Sequence, residues 1–194
     1  MNKPQWIILH TEAAPVKMDA PRFAVVNEYH RQQFDFKSSL GFYCGYHYFI
    51  EKNGKIIQAR ADTDEGAHTK GYNSVSLGIC LAGNGDVEMP IESQKQALGG
   101  LIGRKMVQFG ISKENIVPHR HFLAHKEKTC YGRLLSNEWA RNLITAVTPV
   151  TPPPAIPSIT QQLSAIQKAL NWIAEQITKL RTQKVGGVKD FDHL

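Results

Sequence analysis

The stretch 148-TPVTPPPAIP-157 constrains this chain more than any other. It holds five of the ten prolines. Proline fixes φ and lacks a backbone N–H, so neither a helix interior nor a central strand can run through such a segment. It reads as a semi-rigid, extended linker. The 194 residues therefore divide into a segment 1–147, long enough for one hydrophobic core, the linker 148–157, a helical segment 158–185 and a flexible tail 186–194.

Beyond the linker, Ser158 and Gln161 match a capping box. Apolar residues follow at Ile159, Leu163, Ile166, Leu170, Ile173, Ile177 and Leu180, spaced 4-3-4-3-4-3, until Gly186-Gly187. A 3.5-residue period keeps one stripe facing a partner helix. With Leu163, Leu170 and Ile177 at a, the d positions are Ile159, Ile166, Ile173 and Leu180. Leu at a with Ile at d favours trimers or tetramers. The flanking Ala169, Ala174, Gln162, Gln167 and Gln176 are small or uncharged and widen the apolar face. The segment is expected to be an oligomerising coiled-coil helix. Packing on its own domain is the simpler alternative, and a membrane surface ranks lower because the polar face is Gln-rich and weakly basic.

Before the linker, strand and helix patterns mix. Trp6–His10 reads as a short buried strand. Asp19-Ala20-Pro21 offers a helix start, and Phe23, Val26 and Tyr29–His30 continue at helical spacing to about Phe34. In 46-YHYFIEKNGKIIQAR-60, two apolar runs flank Asn53-Gly54, a strong hairpin signal. The nearly continuous apolar run 75-VSLGICLAG-83 is expected to be central in a sheet. Residues 90–109 give an amphipathic helix ending at Gly110. A short strand follows in 115-NIVPH-119, and Ser136 to Val147 reads as a closing helix. The fold class is α/β, a central mixed sheet flanked by helices.

The net charge of +6 favours a polyanionic partner, such as nucleic acid, an anionic membrane or an acidic cell-wall polymer. No Lys/Arg run interleaved with aromatics occurs, so no nucleic acid is expected. No apolar run approaches the roughly 18 residues of a membrane span, and no stable membrane insertion is expected. The N-terminus lacks a signal-peptide pattern. Three sparse cysteines, Cys44, Cys80 and Cys130, do not make a disulfide framework and fit synthesis in a reducing compartment.

The segment 119-HRHFLAHKEKTCYG-132 places His119, His121, His125 and Cys130 within fourteen residues. Zinc prefers imidazole nitrogen and thiolate, and a catalytic site uses three protein ligands and keeps one position open. Cys130 and one nearby histidine supply two ligands, and His10, at the end of a buried strand, is a candidate third. The spacing alone equally allows a His-rich surface loop beside an ordinary buried cysteine.

The order IILHTEA … GYHYFIEKNGKIIQAR … GAHTKGYNSVSLGICLAGNGD … PHR … KTCYG, from about residue 5 to 145, resembles the zinc N-acetylmuramoyl-L-alanine amidases of the type-2 family. That family includes amidase-type phage lysozymes and the peptidoglycan-recognition proteins. The resemblance implies one Zn2+ per chain on His10, His119 and Cys130. His119 heads the His-Arg pair, but the gap to Cys130 is longer than in the family pattern and contains His121 and His125; either is open as the ligand, with His121 the named alternative to His119. Tyr131 stands where that pattern has proline. The resemblance also implies that Tyr46 and Lys128 sit beside the metal as catalytic groups, and that His68, Lys70 and Asn73 contact substrate. A zinc ion lowers the pKa of water. A Lys ammonium or Tyr hydroxyl stabilises the oxyanion of amide hydrolysis, and Tyr46 can also assist proton transfer.

His47, on the opposite strand face from Tyr46, reads as structural. His30 reads as a packed helix residue, and Cys44 and Cys80 as small core residues. The expected activity is hydrolysis of the bond between N-acetylmuramic acid and L-alanine in peptidoglycan, by an endolysin made in the cytoplasm and acting on the wall after release. The competing expectation is a module that binds peptidoglycan without cutting it.

Overall fold

A computed structural model of the protein describes residues 1–14, 20–144 and 159–185. Its contacts divide the chain into two units, Met1–Thr148 and Pro149–Leu194. The linker 148–157 and the tail 186–194 lie outside the described residues, as do Asp19 and Ser158.

In the first unit the elements follow as β1 (Trp6–Thr11), α1 (Phe23–Phe34), β2 (Tyr48–Ile50), β3 (Ile56–Gln58), β4 (Ser76–Leu81), α2 (Glu92–Phe109), β5 (Ile116–Pro118) and the short α3 (Trp139–Asn142). The strands form one five-stranded sheet in the order β3-β2-β4-β1-β5. The β2–β3 hairpin is antiparallel, while β2–β4, β4–β1 and β1–β5 are parallel. The sheet is mixed, and the hairpin is its antiparallel part. β4 is the middle strand, and all six of its residues are buried. That agrees with its near-continuous apolar run, because a central parallel strand is covered on both faces.

Side chains alternate across the sheet. Ile7, Leu9, Ile79, Leu81 and Ile50 face α2, where Leu98, Leu101 and Ile102 cover them. Each such burial contributes about 1.5–3 kcal/mol. Truncating Leu98, which is 0% exposed, to alanine is expected to cost about 2–5 kcal/mol. α2 ends at Gly110, whose φ of 65° closes the helix in the left-handed region. The opposite face carries Ile8, Val117 and Phe122 in one cluster and Phe49, Cys80 and Val26 in another. His10 shares that face with Ile8, two residues away.

Two expected helix boundaries shift. α1 begins at Phe23, and no side chain of its own caps it. Its free N–H groups are taken by Glu51, whose carboxylate accepts from Arg22 N (3.0 and 2.9 Å) and Phe23 N (2.8 Å). A cap from the hairpin has replaced a local one. The closing helix expected over Ser136–Val147 is a single turn, Trp139–Asn142, among the described residues. The Leu143 carbonyl abuts Gly99 of α2 so closely that an added Cβ there would lie 2.4 Å away.

The second unit contributes α4, Ile159–Val185. Leu163, Ile166, Leu170, Ile173 and Ile177 on its seam are between 46% and 60% exposed. No helix among the described residues is long and apolar enough to cross a membrane.

Candidate metal centre

β1 and β5 run side by side in parallel, with Leu9 opposite Pro118. His10 follows Leu9 near the end of β1 and His119 follows Pro118 directly after β5, so the two lie at one level. The C-terminal ends of parallel strands are where α/β sheets place their ligands. The two rings stand 4.7 Å apart, centroid to centroid.

Cys130 arrives on a loop that Arg120 holds in place. The Arg120 N–H donates to the Cys130 carbonyl (3.0 Å). Its guanidinium donates to the carbonyls of Thr129 (2.9 Å), Gly132 (2.6 Å) and Leu135. Asp86 holds the loop from the other side, accepting from the Thr129 hydroxyl and from Arg133 N, both at 2.8 Å. Tyr131 is fully buried and donates its hydroxyl to the Ser136 carbonyl, and the peptide bond before it is cis. Gly85 and Gly132 let two backbones meet here. A Cβ on Gly85 would lie 2.3 Å from the Tyr131 carbonyl oxygen, and Gly132 has a φ of 121°.

One ligand atom from each of His10, His119 and Cys130 lies within 4.8 Å of the others. Cys130 Sγ is 3.5 Å from Nδ1 of His10. Nε2 of His119 is buried without a hydrogen-bond partner among the described residues. An unpaired buried nitrogen is costly unless something else takes its lone pair. Two imidazoles and one thiol match the donor set of an open zinc site, so these residues fit such an ion.

Burial holds the His10 imidazole well below its ordinary pKa, with His68 and His119 adding to the effect. His119 is lowered to about 4 by burial, then by His125 and Lys128. Both rings are therefore neutral near pH 7, with lone pairs free for a cation. Burial pushes the Cys130 thiol up to about 11, so ligation requires a metal ion to displace its proton, which is released on binding.

The ring of Tyr46 lies 4.9 Å from that of His10. Burial raises its hydroxyl far above the ordinary range, which keeps it a proton-bearing donor. Lys128 is exposed on the loop, and its charge bears on both His119 and Cys130. His121 packs on Trp6 and Phe122, with centroids 6.1 and 5.2 Å away. The His125 ring lies tilted against that of His119, centroids 4.7 Å apart, with its Nε2 3.2 Å from the Lys70 carbonyl.

The three residues expected at the substrate are placed differently from one another. The Lys70 side chain is exposed. Asn73 turns inward, its Oδ1 accepting from the N–H groups of His68 (3.0 Å) and Thr69 (2.8 Å). His68 faces His10, with Nδ1 3.2 Å from Nε2 of that ring. His47 is buried, accepting from Gly78 N at Nδ1 (3.1 Å) and lying 3.0 Å from the Asp64 carbonyl at Nε2. His30 accepts from Gly45 N (2.8 Å). Cys44 and Cys80 are fully buried.

Residues 1–133 match the Amidase_2 family, N-acetylmuramoyl-L-alanine amidase. The chain belongs to this amidase family. Among relatives of the amidase, the endolysin of Klebsiella phage KP32 is 30% identical over 146 residues, which cover 72% of this chain and 89% of that protein. A peptidoglycan recognition protein of Trichoplusia ni is 28% identical over 139 residues, covering 70% and 72%. Among solved structures, the N-acetylmuramoyl-L-alanine amidase LysC from Clostridium intestinale superposes on the amidase with a TM-score of 0.59 at 23% identity, covering 73% and 85%. That likeness is one of fold.

Two residues of the amidase site, Arg120 and Asp86, had no role in the sequence reading, and a third, His125, was read there only as a candidate ligand. Arg120 and Asp86 hold the cysteine loop, and His125 ties that loop to the segment carrying Lys70. The Arg directly after a candidate ligand was the available signal for the first. Asp86 and His125 act over separations that no local pattern encodes.

Proposed function

We propose that the protein is a zinc-dependent N-acetylmuramoyl-L-alanine amidase, cutting peptidoglycan between the lactyl group of N-acetylmuramic acid and L-alanine as a phage-type endolysin. The convergence of His10, His119 and Cys130 within 4.8 Å, at the ends of two parallel strands, carries this reading. Bound there, a zinc ion supplies Lewis acidity and lowers the pKa of water toward neutrality.

The chain's own residues supply the rest. Tyr46, held protonated by burial, donates a hydrogen bond to the carbonyl oxygen as negative charge develops on it. Lys128 sets a positive charge at the same mouth and stabilises that oxyanion. Lys70, exposed on the facing segment, meets the carboxylates of the stem peptide. The net charge of +6 draws the protein to an anionic wall. We assign domains as in the sequence reading: amidase 1–147, linker, then a helix 158–185 that joins chains into a trimer or tetramer and multiplies wall contacts by avidity. Synthesis in the cytoplasm and release at lysis fit an endolysin.

Purified full-length protein incubated with cell walls tests the activity. New L-alanine amino termini that appear with zinc and vanish on chelation are the expected result. Wall binding without new termini would instead establish a binding module. A chain truncated after Val147 is expected to be monomeric and still active on soluble muropeptides.

A further inference from the structure

The segment Gly66–Gly78 carries the pattern G-x-H-x-K-G-Y-N-x-x-S-x-G, and its histidine is built into the molecule. The His68 ring lies over two glycines. A Cβ on Gly66 would fall 2.5 Å from its Cδ2, and one on Gly78 2.6 Å from the same atom. No other residue leaves room for the ring at either position. Gly78 lies on β4 opposite Ile8 of β1, on the sheet face that carries His10, so the ring is seated diagonally beside His10.

The backbone is pinned as well. Asn73 Oδ1 accepts from the N–H groups of His68 and Thr69, and Gly66 N donates to the Asn73 carbonyl (3.0 Å). Three side-chain contacts then complete the site. Nδ1 of His68 lies 3.2 Å from Nε2 of His10. Nε2 of His68 lies 3.4 Å from Ser76 Oγ. The Ser76 hydroxyl donates to the Tyr72 carbonyl at 2.7 Å. The Thr69 hydroxyl flanks the first of these, 3.0 Å from Nδ1 of His68 and 3.5 Å from Nε2 of His10.

Chemistry fixes the direction of this chain. His10 presents Nδ1 to Cys130, and a nitrogen that ligates a metal carries no proton. The proton of His10 then sits on Nε2 and is donated to Nδ1 of His68. His68 in turn carries its proton on Nε2, aimed at Ser76 Oγ, and Ser76 donates to a backbone carbonyl. From His10 through His68 to Ser76, each donor finds an acceptor in one sense, away from the cation.

We infer that His68 is a positioning residue that acts through His10: it fixes the tautomer and ring orientation of that ligand, and Gly66, Asn73, Ser76 and Gly78 form the cradle that holds it. Partners of this kind orient metal-bound imidazoles, and losing one typically costs 10–100-fold in metal affinity. The inference rests on the zinc reading above and deepens it, moving His68 from substrate contact to support of a ligand.

Zinc affinity of the full chain, measured by chelator competition, tests it together with the visible spectrum of the cobalt(II)-loaded protein. The variants are His68→Ala, His68→Asn and Thr69→Val, with secondary structure checked by circular dichroism. His68→Ala is expected to weaken zinc binding by roughly 10–100-fold and to alter the cobalt bands. His68→Asn places an amide oxygen near the former Nδ1 and is expected to recover most of that loss. It also serves as the decisive variant should His68→Ala fail to fold. Thr69→Val is expected to lose less than His68→Ala. Wild-type affinity in His68→Ala would overturn the inference. So would no recovery in His68→Asn, or a larger loss in Thr69→Val than in His68→Ala. A wild-type chain that binds no zinc would instead overturn the zinc reading itself, which the same titration reports first.

Discussion

The two units of this chain treat their apolar surface in opposite ways. In Met1–Thr148 the sheet is covered on both faces, and Ile7, Ile79, Leu98 and Ile102 are all 0% exposed. In α4 the seam residues stay between 46% and 60% exposed. The first unit contains the partners for its own hydrophobic surface and can hold side chains in fixed geometry, as a metal centre requires. The second has a regular stripe and, within α4, nothing to place against it. Isolated helices draw little stability from propensity alone, and a partner surface over this stripe is what the proposed assembly would supply. In the function proposed above, chemistry belongs to the folded unit and association to the helix.

The largest expected effect tests the chemical side. Cys130→Ser is expected to abolish wall hydrolysis and reduce zinc to well below one ion per chain, while sedimentation of the full-length protein stays unchanged. A change in assembly would break the separation. Leu170→Asp makes the complementary test. A charge in a buried seam costs several kcal/mol, so this variant is expected to sediment as a monomer with full activity on soluble muropeptides. A wild-type chain that is itself monomeric would refute the coiled-coil reading.

Tyr46→Phe is expected to lower kcat by about 10²–10³-fold, the usual loss for one oxyanion donor, with zinc content unchanged. Steady-state kinetics with a metal assay separates these readouts.

The smallest effect concerns pH. The His47 pKa is held at about 4, chiefly by burial, and Nδ1 accepts the Gly78 N–H. An unfolded histidine titrates near 6.5. Between those values the unfolded chain binds more protons, so stability is fully present above pH 6.5 and is lost as pH falls toward 4. The contribution is on the order of 3 kcal/mol. Thermal melts across that window are expected to show the loss, and His47→Gln to reduce it without removing it, because burial also holds His10, His30, His68 and His119 low. α4 contains no histidine, and its melting is expected to ignore the same window.

Much of the fold was legible because its signals are local. The apolar run of β4, the amphipathic span of α2 and its Gly110 stop, and the Asn53-Gly54 hairpin each encode their element nearby. The start of α1 was not legible, because its cap is Glu51, more than twenty residues away. The closing helix is shorter than apolar spacing at Trp139, Ala140 and Leu143 suggests among the described residues, and that spacing carries no record of Gly99, which the Leu143 carbonyl meets. At the site, His10 and Cys130 stood out as metal-binding types in suggestive places. Spacing left His119 and His121 open as alternatives. The register of β5 against β1 sets His119 beside His10, while His121 packs on Trp6. The sequence also could not tell that His68 faces His10, since that depends on two glycines twelve residues apart closing over one ring.

X-ray absorption at the zinc edge of the active, full-length protein tests the central claim most directly. The account predicts one zinc per chain, with one sulfur at about 2.3 Å, two imidazole nitrogens at about 2.0–2.1 Å and one exchangeable light atom. A second sulfur, a fourth protein ligand closing the shell, or full wall hydrolysis by protein without zinc would contradict it.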